Sequence, residues 1–598
     1  MKQLLMGNEA IALGAIRAGV GVVTGYPGTP STEVLETIAK HNDGHIYVEW
    51  SVNEKTAMEV AAGAAYAGQR SLVTMKQVGL NVASDPLMSL AYVGVKGGMV
   101  VFVADDPGPI SSQTEQDTRT FAAFSKLPIF DPTSPEEAYL MMAEAFEFSE
   151  QNGTPVLFRA TTRICHACAA IEVEDTRVQT QPEGFVKDSR WVIFPRLSYA
   201  AHKRIEARNL EWRTTLSAYP RNVVRGAGTL GVAAGGVSWA YLQEALAGRE
   251  DVKQLKVATP FPFPEDLALR FLEGLTDVLV LEELDPVIER ALLEIVGRHH
   301  LPVTIHGKLT GETLTAGENG TEIIQKQLAA FLGEPVAEEA ALDTPPLPVR
   351  PPVLCAGCPH RASFYAVKQA AKQLDKTAVF CGDIGCYTLG NAMPLDMTDT
   401  CLCMGAGITV AQGIGRVEPE RLLFSFTGDS TFFHTGIPGI VNAVYNKSRM
   451  VAVILDNAST AMTGHQPNPS TGSLVSGEVA EVISIEGVLT ALGVKTVVTA
   501  DPLKLDEAKE AVKTAAEAAK EGVAAIVFRS PCIAVVKPKA PLVVNDRCIG
   551  CKKCVKELGC PAIVKDGDRV RIDATLCTGC SLCTQVCPVK AIGGEADA

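Results

Sequence analysis

Eight cysteines near the end of the chain occur in two copies of one spacing, and this repeat strongly constrains how that part can fold. Each copy has three cysteines separated by two residues and a fourth that precedes proline. This double spacing is typical of proteins that hold two [4Fe–4S] clusters, in which the fourth cysteine of each run binds the other cluster. Zinc sites also use paired C-x-x-C spacings, but two triplets that each continue to C-P favour the clusters.

The crossover rule assigns the eight ligands. One cluster is predicted to be held by Cys548, Cys551, Cys554 and Cys587, and the other by Cys577, Cys580, Cys583 and Cys560. The two copies differ in one respect, since five residues separate Cys554 from Cys560 whereas three separate Cys583 from Cys587. We expect the longer segment to change the orientation of its loop and the potential of its cluster.

The composition excludes several classes of partner. The 598 residues carry a net charge of −14, which argues against binding to nucleic acid or to an anionic membrane. No apolar run approaches the roughly 18 residues that a membrane-spanning helix needs. Seventeen cysteines without an export signal indicate metal or redox chemistry rather than disulfides. We therefore expect a cytoplasmic, oxygen-sensitive protein.

Short apolar runs that end in turn residues, such as 71–75, 278–281 and 450–455, predict buried parallel strands. The predicted fold class is α/β, with several doubly wound domains and a small C-terminal α+β module. Residues 176–225 are polar, basic and aperiodic and are predicted to form a long connection, and the Pro-rich residues 344–352 a stiff linker. The predicted domains are 1–175, 226–343, 353–540 and the cysteine-rich 541–598.

Two strands of the third domain end in polar residues that suit a metal ion. One runs into Gly428, Asp429 and Ser430, and the next runs into Asn457. Carboxyl ends of neighbouring parallel strands open into one crevice, where the two side chains offer oxygen ligands to Mg²⁺. Two ordinary strand-end turns are the simpler alternative. The pattern resembles the thiamine diphosphate motif, which implies Asp429, Asn457 and the main-chain carbonyl of Ser459 as magnesium ligands, and Gly428 and Ser430 beside the diphosphate.

A glutamate in the first domain precedes a helix rich in small residues. Thiamine enzymes need a buried carboxyl group with a raised pKa against the aminopyrimidine ring. The segment resembles their pyrimidine-binding domain, in which Glu54 matches the activating glutamate. Glu49 and Glu59 are alternatives, and Glu54 itself could instead cap the helix at the surface.

Three further segments resemble those of the 2-oxoacid:ferredoxin oxidoreductases. They are residues 26–31 (Y-P-G-T-P-S), 461–467 (A-M-T-G-H-Q-P, with His465 in place of a glycine) and 355–361 (C-A-G-C-P-H-R). In that family the threonine of the first segment faces the substrate carboxylate, which implies this role for Thr29. The order of domains is similar to that of the large subunit of members that act on aryl pyruvates.

The resemblance implies a function. It is oxidative decarboxylation of an aryl pyruvate with thiamine diphosphate, Mg²⁺ and two [4Fe–4S] clusters, coenzyme A as acyl acceptor and ferredoxin as electron acceptor. It also implies a smaller β subunit and a heterodimer that dimerises further. The alternatives are action on another 2-oxoacid, a non-oxidative thiamine decarboxylase, or an electron-transfer subunit without catalysis. A nicotinamide enzyme is disfavoured, because no suitable G-x-G-x-x-G turn follows an N-terminal strand.

Several residues have no firm assignment. Cys355, Cys358 and Cys386 resemble ligands of a third cluster in related enzymes, and the candidates for a fourth ligand are Cys381, Cys401, Cys403 and Cys532. Packing is the preferred interpretation of Cys165 and Cys168, and hydrogen-bonded structural roles are preferred for His360, His434 and His465. We hypothesise that three lysines beside the first cysteine run help to bind an acidic ferredoxin, namely Lys552, Lys553 and Lys556.

Overall fold

The computed structural model describes residues 2–174, 176–335, 345–375 and 377–594. The chain forms two compact units, Met1–Asp343 and Thr344–Ala598. Parts of several predicted domains lie outside the described residues. They are the end of the first domain (residue 175), the end of the second (336–343), the first residue of the linker (344) and the last four residues of the chain (595–598). Residues 345–352 have no regular secondary structure and are exposed.

The first unit begins with an antiparallel pair, in which β1 (Lys2–Met6) lies beside β8 (Cys168–Glu172). Its larger sheet has six parallel strands, which are in spatial order β3 (Tyr47–Trp50), β2 (Val22–Gly25), β4 (Ser71–Lys76), β5 (Met99–Asp105), β7 (Val156–Thr161) and β6 (Ile129–Phe130). Its helices are α1 (Gly7–Arg17), α2 (Thr32–His41), α3 (Glu54–Tyr66), α4 (Gln77–Val82), α5 (Ser84–Val93), α6 (Thr118–Ser125), α7 (Pro135–Asn152) and α8 (Thr162–His166).

A second sheet of the same unit follows the first along the chain. Its spatial order is β13 (Thr304–His306), β12 (Asp277–Leu281), β10 (Leu230–Gly235), β11 (Lys253–Val257) and β9 (Val223–Arg225), with only β9 antiparallel to its neighbour. The helices here are α10 (Gly236–Leu246), α11 (Glu265–Leu272), α12 (Val287–His299) and α13 (Thr321–Leu332). The parallel strands carry near-continuous apolar runs, because both faces of a doubly wound sheet are covered.

The segment predicted to be aperiodic contains a helix of 23 residues, α9 (Pro195–Ser217), so that prediction is wrong for this part. Its first residue is proline, which suits this position because the amide hydrogen that proline lacks would have no partner within the helix. A narrow stripe of buried side chains recurs at helical spacing, at Ala201, Ile205, Asn209, Trp212 and Leu216. Such a stripe is easily overlooked in sequence because the surrounding residues are charged.

The second unit is built on a five-stranded parallel sheet, in the order β14 (Val379–Cys381), β15 (Leu423–Gly428), β16 (Met450–Asp456), β18 (Val523–Arg529) and β17 (Thr496–Ala500). Its helices are α14 (Pro359–Leu374), α15 (Ala406–Val417), α16 (Asp429–Thr431), α17 (Ile437–Tyr445), α18 (Ile485–Ala491) and α19 (Leu505–Ala518). A π-helical turn, Phe432–Gly436, joins α16 to α17.

The cysteine-rich module completes the second unit. It contains two small antiparallel pairs and two short helices, which are β19 (Val543–Val544) with β22 (Ile592–Gly593), β20 (Ile563–Asp566) with β21 (Arg569–Ile572), α20 (Lys553–Leu558) and α21 (Leu582–Val586). Leu558, Leu582 and Val586 of the module share one hydrophobic cluster with Phe364 of α14 and Phe426 of β15. The module is therefore packed against the α/β body.

Candidate active site and cluster ligands

Glu54 is the first residue of α3, directly after the carboxyl end of β3. The Asn53 side chain caps this helix by accepting from the Thr56 amide at 2.8 Å. Only 5% of Glu54 is exposed, and its carboxyl group lies so close to Gly79 that a Cβ there would come 2.5 Å from Glu54 Oε1. A glycine at position 79 therefore makes room for the buried carboxyl group.

The two alternative glutamates have different surroundings. Glu49 is half-buried and accepts hydrogen bonds from Tyr47 Oη and Ser51 Oγ, both at 2.6 Å. Glu59 is exposed and forms an ion pair with Lys55 on the surface of the helix. Of the three, only Glu54 is buried at the carboxyl edge of the sheet.

Other polar residues lie at the same edge of the first sheet. Thr29 is half-buried in the turn after β2, and its carbonyl oxygen accepts from Ser111 Oγ at 3.2 Å. Lys76, the last residue of β4, donates to the Ser111 carbonyl at 3.1 Å. Burial lowers the pKa of Lys76, against the opposing charges of Asp106 and Glu54. Lys76 and Asp106 were not predicted from the sequence, although both stand where strands β4 and β5 end.

In the second unit, Asp429 follows β15 and is the first residue of α16. It is 3% exposed, and its carboxylate accepts from the amides of Ser430 at 2.9 Å and Ser459 at 3.0 Å and from Asn468 Nδ2 at 3.1 Å. Burial raises the pKa of Asp429 to about 7, and the charge of Asp456 adds to this. A bound cation would relieve this unfavourable environment for a carboxylate.

Asn457 lies just after β16, the strand paired with β15. Its Nδ2 lies 3.2 Å from His360 Nε2. Burial lowers the pKa of His360 to about 4, so the imidazole is neutral and can accept this hydrogen bond. The buried Oδ1 of Asn457 has no hydrogen-bond partner among the described residues. An orphaned amide oxygen and a buried carboxylate, each after the end of one of two paired strands, form a donor set that suits Mg²⁺.

The other predicted residues of this edge are nearby. Gly428 ends β15, and Ser459 is buried, with its amide bound to Asp429. A further buried carboxylate, Asp383, accepts from the Gly405 amide at 2.8 Å, and burial raises its pKa to about 7. Asp383 was missed, although it lies just after the end of β14.

Seven of the eight cysteines of the module can be placed relative to one another. Burial raises the pKa of Cys554, and the thiolates of Cys587 and Cys551 contribute further. Burial likewise raises the pKa of Cys583, and the thiolates of Cys580, Cys560, Cys577 and, least, Cys554 contribute further. The fourth cysteine of each run therefore lies beside the triplet of the other run. Cys551 is exposed.

Four more cysteines lie near one another in the second unit. Burial raises the pKa of Cys386 to about 11, and the thiolates of Cys532 and Cys355 add to this. Burial raises the pKa of Cys358 to about 12, with smaller contributions from Cys355 and Cys386. The group is thus Cys355, Cys358, Cys386 and Cys532, which we call the inner cysteine group.

The remaining candidates for its fourth member have other neighbours. Cys381 is buried in β14, and its pKa is raised by burial and by Asp399. Cys401 is exposed, and its pKa is raised by burial and by Asp383, with Cys403 also contributing. In the first unit, Cys165 is buried and Cys168 is exposed, which is consistent with packing at Cys165.

Two of the three lysines beside the first cysteine run have contacts within the module. Lys552 Nζ donates to the Gly567 carbonyl at 3.0 Å, and Lys553 Nζ lies 3.9 Å from the Glu557 carboxylate.

No helix in the described part of the chain is both long enough and apolar enough to cross a membrane.

Three protein-family models match the chain. They are the thiamine diphosphate-binding domain of pyruvate flavodoxin/ferredoxin oxidoreductases over residues 13–202, the C-terminal thiamine pyrophosphate-binding domain of thiamine pyrophosphate enzymes over 383–528, and a 4Fe–4S binding domain over 570–593. The first contains Glu54, and the second contains Asp429 and Asn457.

Whole-chain relatives are also found. Indolepyruvate oxidoreductase subunit IorA of Methanothermobacter thermautotrophicus is 43% identical over 99% of this chain and 97% of its own. The chain belongs to this family. The subunit of the same name from Thermococcus kodakarensis is 41% identical over 98% of this chain and 96% of its own. A solved 2-oxoglutarate:ferredoxin oxidoreductase from Magnetococcus marinus covers 55% of this chain and 65% of its own, at 17% identity and a TM-score of 0.45.

Membership of the indolepyruvate oxidoreductase family makes the chain a 2-oxoacid:ferredoxin oxidoreductase subunit with thiamine diphosphate and iron–sulfur clusters as cofactors. The predictions of the family, the α/β fold class and these cofactors are confirmed. The assignments of individual ligands and catalytic residues stay predictions.

Proposed function

We propose that this chain oxidatively decarboxylates aryl pyruvates such as indolepyruvate, with coenzyme A as acyl acceptor and ferredoxin as electron acceptor. The observation that carries the proposal is the packing of the cysteine-rich module into the hydrophobic cluster of the sheet that bears Asp429. A non-oxidative decarboxylase has no use for clusters fixed beside its cofactor domain. The name of relatives that match nearly the whole chain supports the aryl substrate.

Each predicted site residue has a role in this proposal. Thiamine diphosphate, when bound, would supply the nucleophilic carbon centre that the reaction needs. Glu54 holds and exchanges a proton at the aminopyrimidine ring, and Thr29 faces the substrate carboxylate. Asp429, Asn457 and the Ser459 carbonyl hold Mg²⁺, with Gly428 and Ser430 beside the diphosphate.

The proposed cluster ligands are those of the crossover rule, which the surroundings of Cys554 and Cys583 support. Cys548, Cys551, Cys554 and Cys587 hold one [4Fe–4S] cluster, and Cys577, Cys580, Cys583 and Cys560 hold the other. We assign a third cluster to the inner cysteine group. A smaller β subunit completes a cytoplasmic heterodimer that dimerises further, and Lys552, Lys553 and Lys556 help to bind an acidic ferredoxin. The predicted domain limits belong to the same proposal.

The test is an anaerobic assay of the chain co-expressed with its β subunit. Indolepyruvate, coenzyme A and ferredoxin are supplied, ferredoxin reduction and acyl-CoA formation are followed, and pyruvate and 2-oxoglutarate serve as comparison substrates. We expect the aryl substrate to be preferred and Glu54→Gln to lose at least about a hundredfold in rate, because a carboxamide cannot exchange the proton. Glu59→Gln, on the exposed side of the same helix, is the matched control.

Each outcome has a distinct meaning. Preference for pyruvate would contradict the aryl assignment but keep the mechanism, and release of an aldehyde without ferredoxin reduction would indicate non-oxidative decarboxylation. Wild-type activity in Glu54→Gln would remove the catalytic assignment of this residue.

The third cluster is tested by iron content and by electron paramagnetic resonance of the reduced protein. We expect about twelve iron atoms per chain, from three clusters of four. Cys532→Ser should lose about four of them, whereas Cys401→Ser should lose none, because Cys401 lies outside the inner cysteine group. Equal iron content in all three proteins would contradict the assignment.

A further inference from the structure

Arg361 is a buried cation in the first turn of α14, and the mechanism above does not use it. Only 4% of the residue is exposed. Its guanidinium donates from Nη2 to the Leu354 carbonyl at 2.5 Å and from Nη1 to the Leu558 and Gly559 carbonyls at 2.6 and 3.0 Å. These acceptors are neutral, so the positive charge needs compensation from elsewhere.

The acceptors place Arg361 between two groups of cysteines. Leu354 directly precedes Cys355 of the inner cysteine group, and Gly559 directly precedes Cys560 of the module. Burial lowers the pKa of Arg361, and the charges that oppose this most strongly are thiolates of both groups, Cys560 and Cys358 first and then Cys580 and Cys355. Its buried Nε has no hydrogen-bond partner among the described residues.

The lengthened first cysteine run provides the module's side of this contact. Five residues lie between Cys554 and Cys560, against three in the second run, and Leu558 and Gly559 are the last two of them. Gly559 ends α20 in the left-handed region at φ 60°, and a Cβ there would lie 2.4 Å from Pro394. Tyr365, one turn after Arg361 on α14, donates to Glu557 of the same segment at 2.6 Å.

We propose that Arg361 is the shared counter-charge of the two cysteine groups and raises the reduction potentials of the clusters that they hold. A cluster with its four thiolates carries net negative charge, and each reduction adds one more, so a buried positive charge nearby favours the reduced state. The inference rests on the proposed clusters. On this proposal, the longer cysteine run brings the module and α14 together around the charge of Arg361.

The test measures the potentials of the clusters rather than turnover. In the complex of the full chain with its β subunit, each cluster is titrated potentiometrically with electron paramagnetic resonance as the readout. Arg361→Gln and Arg361→Met remove the charge, and the methionine also fills the apolar volume. Arg361→Lys retains the charge, and Arg547→Gln removes an exposed charge directly beside Cys548 as a matched control.

In the uncharged variants we expect the cluster of Cys560, Cys577, Cys580 and Cys583, and that of the inner cysteine group, to become harder to reduce. The ratio of reduced to oxidised cluster at fixed potential should fall at least tenfold, which is about 59 mV for one electron. The cluster that includes Cys548 should change less, Arg361→Lys should stay near the wild type, and Arg547→Gln should have little effect because water screens its charge.

Unchanged potentials in an uncharged variant with full iron content would overturn the inference. If neither uncharged variant retains its clusters while Arg361→Lys does, the requirement for positive charge is supported. If Arg361→Lys loses its clusters as well, the shape of the side chain rather than its charge is required, and the inference is overturned. If the wild-type protein contains too little iron for a third cluster, only the proposed inner cluster is contradicted. The potential of the module's cluster that includes Cys560 still tests the role of Arg361.

Discussion

Asp429 and Asn457 are single residues whose buried polar atoms favour a bound cation. Asp429 is a buried carboxylate whose pKa burial raises to about 7, and Asn457 keeps a buried amide oxygen without a partner among the described residues. Buried polar atoms are normally paired, so each exception needs an explanation. A cation between the two side chains would satisfy both.

At Gly79 we predict a strong effect of a single methyl group. Gly79→Ala would bring a Cβ within 2.5 Å of Glu54 Oε1 and displace the carboxyl group, so activity should fall at least tenfold. At Gly63 in α3, a Cβ would meet no atom within 4 Å beyond the adjacent residues and backbone of its own helix. Gly63→Ala should keep activity and stabilise the helix by about 0.5–1 kcal/mol. Ferredoxin reduction and thermal unfolding of both variants check this, and equal activity of Gly79→Ala and wild type would refute it.

His360 is expected to orient the amide of Asn457. Its neutral Nε2 lies 3.2 Å from Asn457 Nδ2, which would leave Oδ1 available to the predicted metal ion. Loss of a group that orients a metal ligand typically costs about 10- to 100-fold in metal affinity, and we predict this for Mg²⁺-dependent cofactor binding by His360→Ala. Titration of thiamine diphosphate binding by fluorescence quenching at varied Mg²⁺ measures it. The exposed His45 is the control, and a similar small effect of both variants would speak against the role.

At the scale of elements, helix α9 shows how little apolar surface is needed to fix a long helix. Its buried stripe includes Ile205 and Trp212, and Trp212 Nε1 donates to Asn152 at 3.1 Å while its ring lies 5.1 Å from that of Phe148. Helical stability in proteins comes mainly from such packing rather than from propensity.

We therefore predict that substitutions along α9 divide by face. Ile205→Ala, at a buried position, should lower the local stability of the helix by about 2–4 kcal/mol, because it leaves a cavity. Leu210→Ala, at a position that is 66% exposed, should change it by less than about 0.5 kcal/mol. Hydrogen exchange of the α9 amides measures both, and similar effects at the two positions would contradict the packing described.

At the scale of the whole molecule, each of the two units has its own sheets and hydrophobic clusters. In the second unit, one cluster joins the cysteine-rich module to α14 and β15. The module is consequently part of the core of that unit, and its removal would expose apolar side chains of the cofactor domain.

Deletion of residues 541–598 is thus predicted to do more than interrupt electron transfer. We expect increased binding of an apolar dye, a lower midpoint of thermal unfolding and weaker binding of thiamine diphosphate. Cys551→Ser is the matched comparison, since it replaces an exposed cysteine that is a predicted cluster ligand without removing the apolar contacts, and it should keep cofactor binding. Equal cofactor affinity and unfolding midpoint in the deletion and the wild type would argue against shared packing.

Much of the secondary structure was predictable from local pattern. The strand expected at 71–75 is observed at Ser71–Lys76, and that expected at 450–455 at Met450–Asp456, because buried parallel strands are short apolar runs bounded by turns. Helix α9 was missed because its apolar stripe is only one residue wide per turn. Lys76 and Asp383 were missed because nothing in their local sequence distinguishes them from ordinary residues at strand ends.

The sequence by itself determined the chemistry of this protein. Cysteine spacing and the order of motifs specify iron–sulfur clusters and thiamine diphosphate, because residue identity and spacing are local properties. Tertiary structure alone decided that Cys532 rather than Cys401 lies near Cys386, and that Arg361 lies between Leu354 and Gly559. These choices depend on contacts between segments distant in the chain, whose geometry is set by how helices and sheets pack.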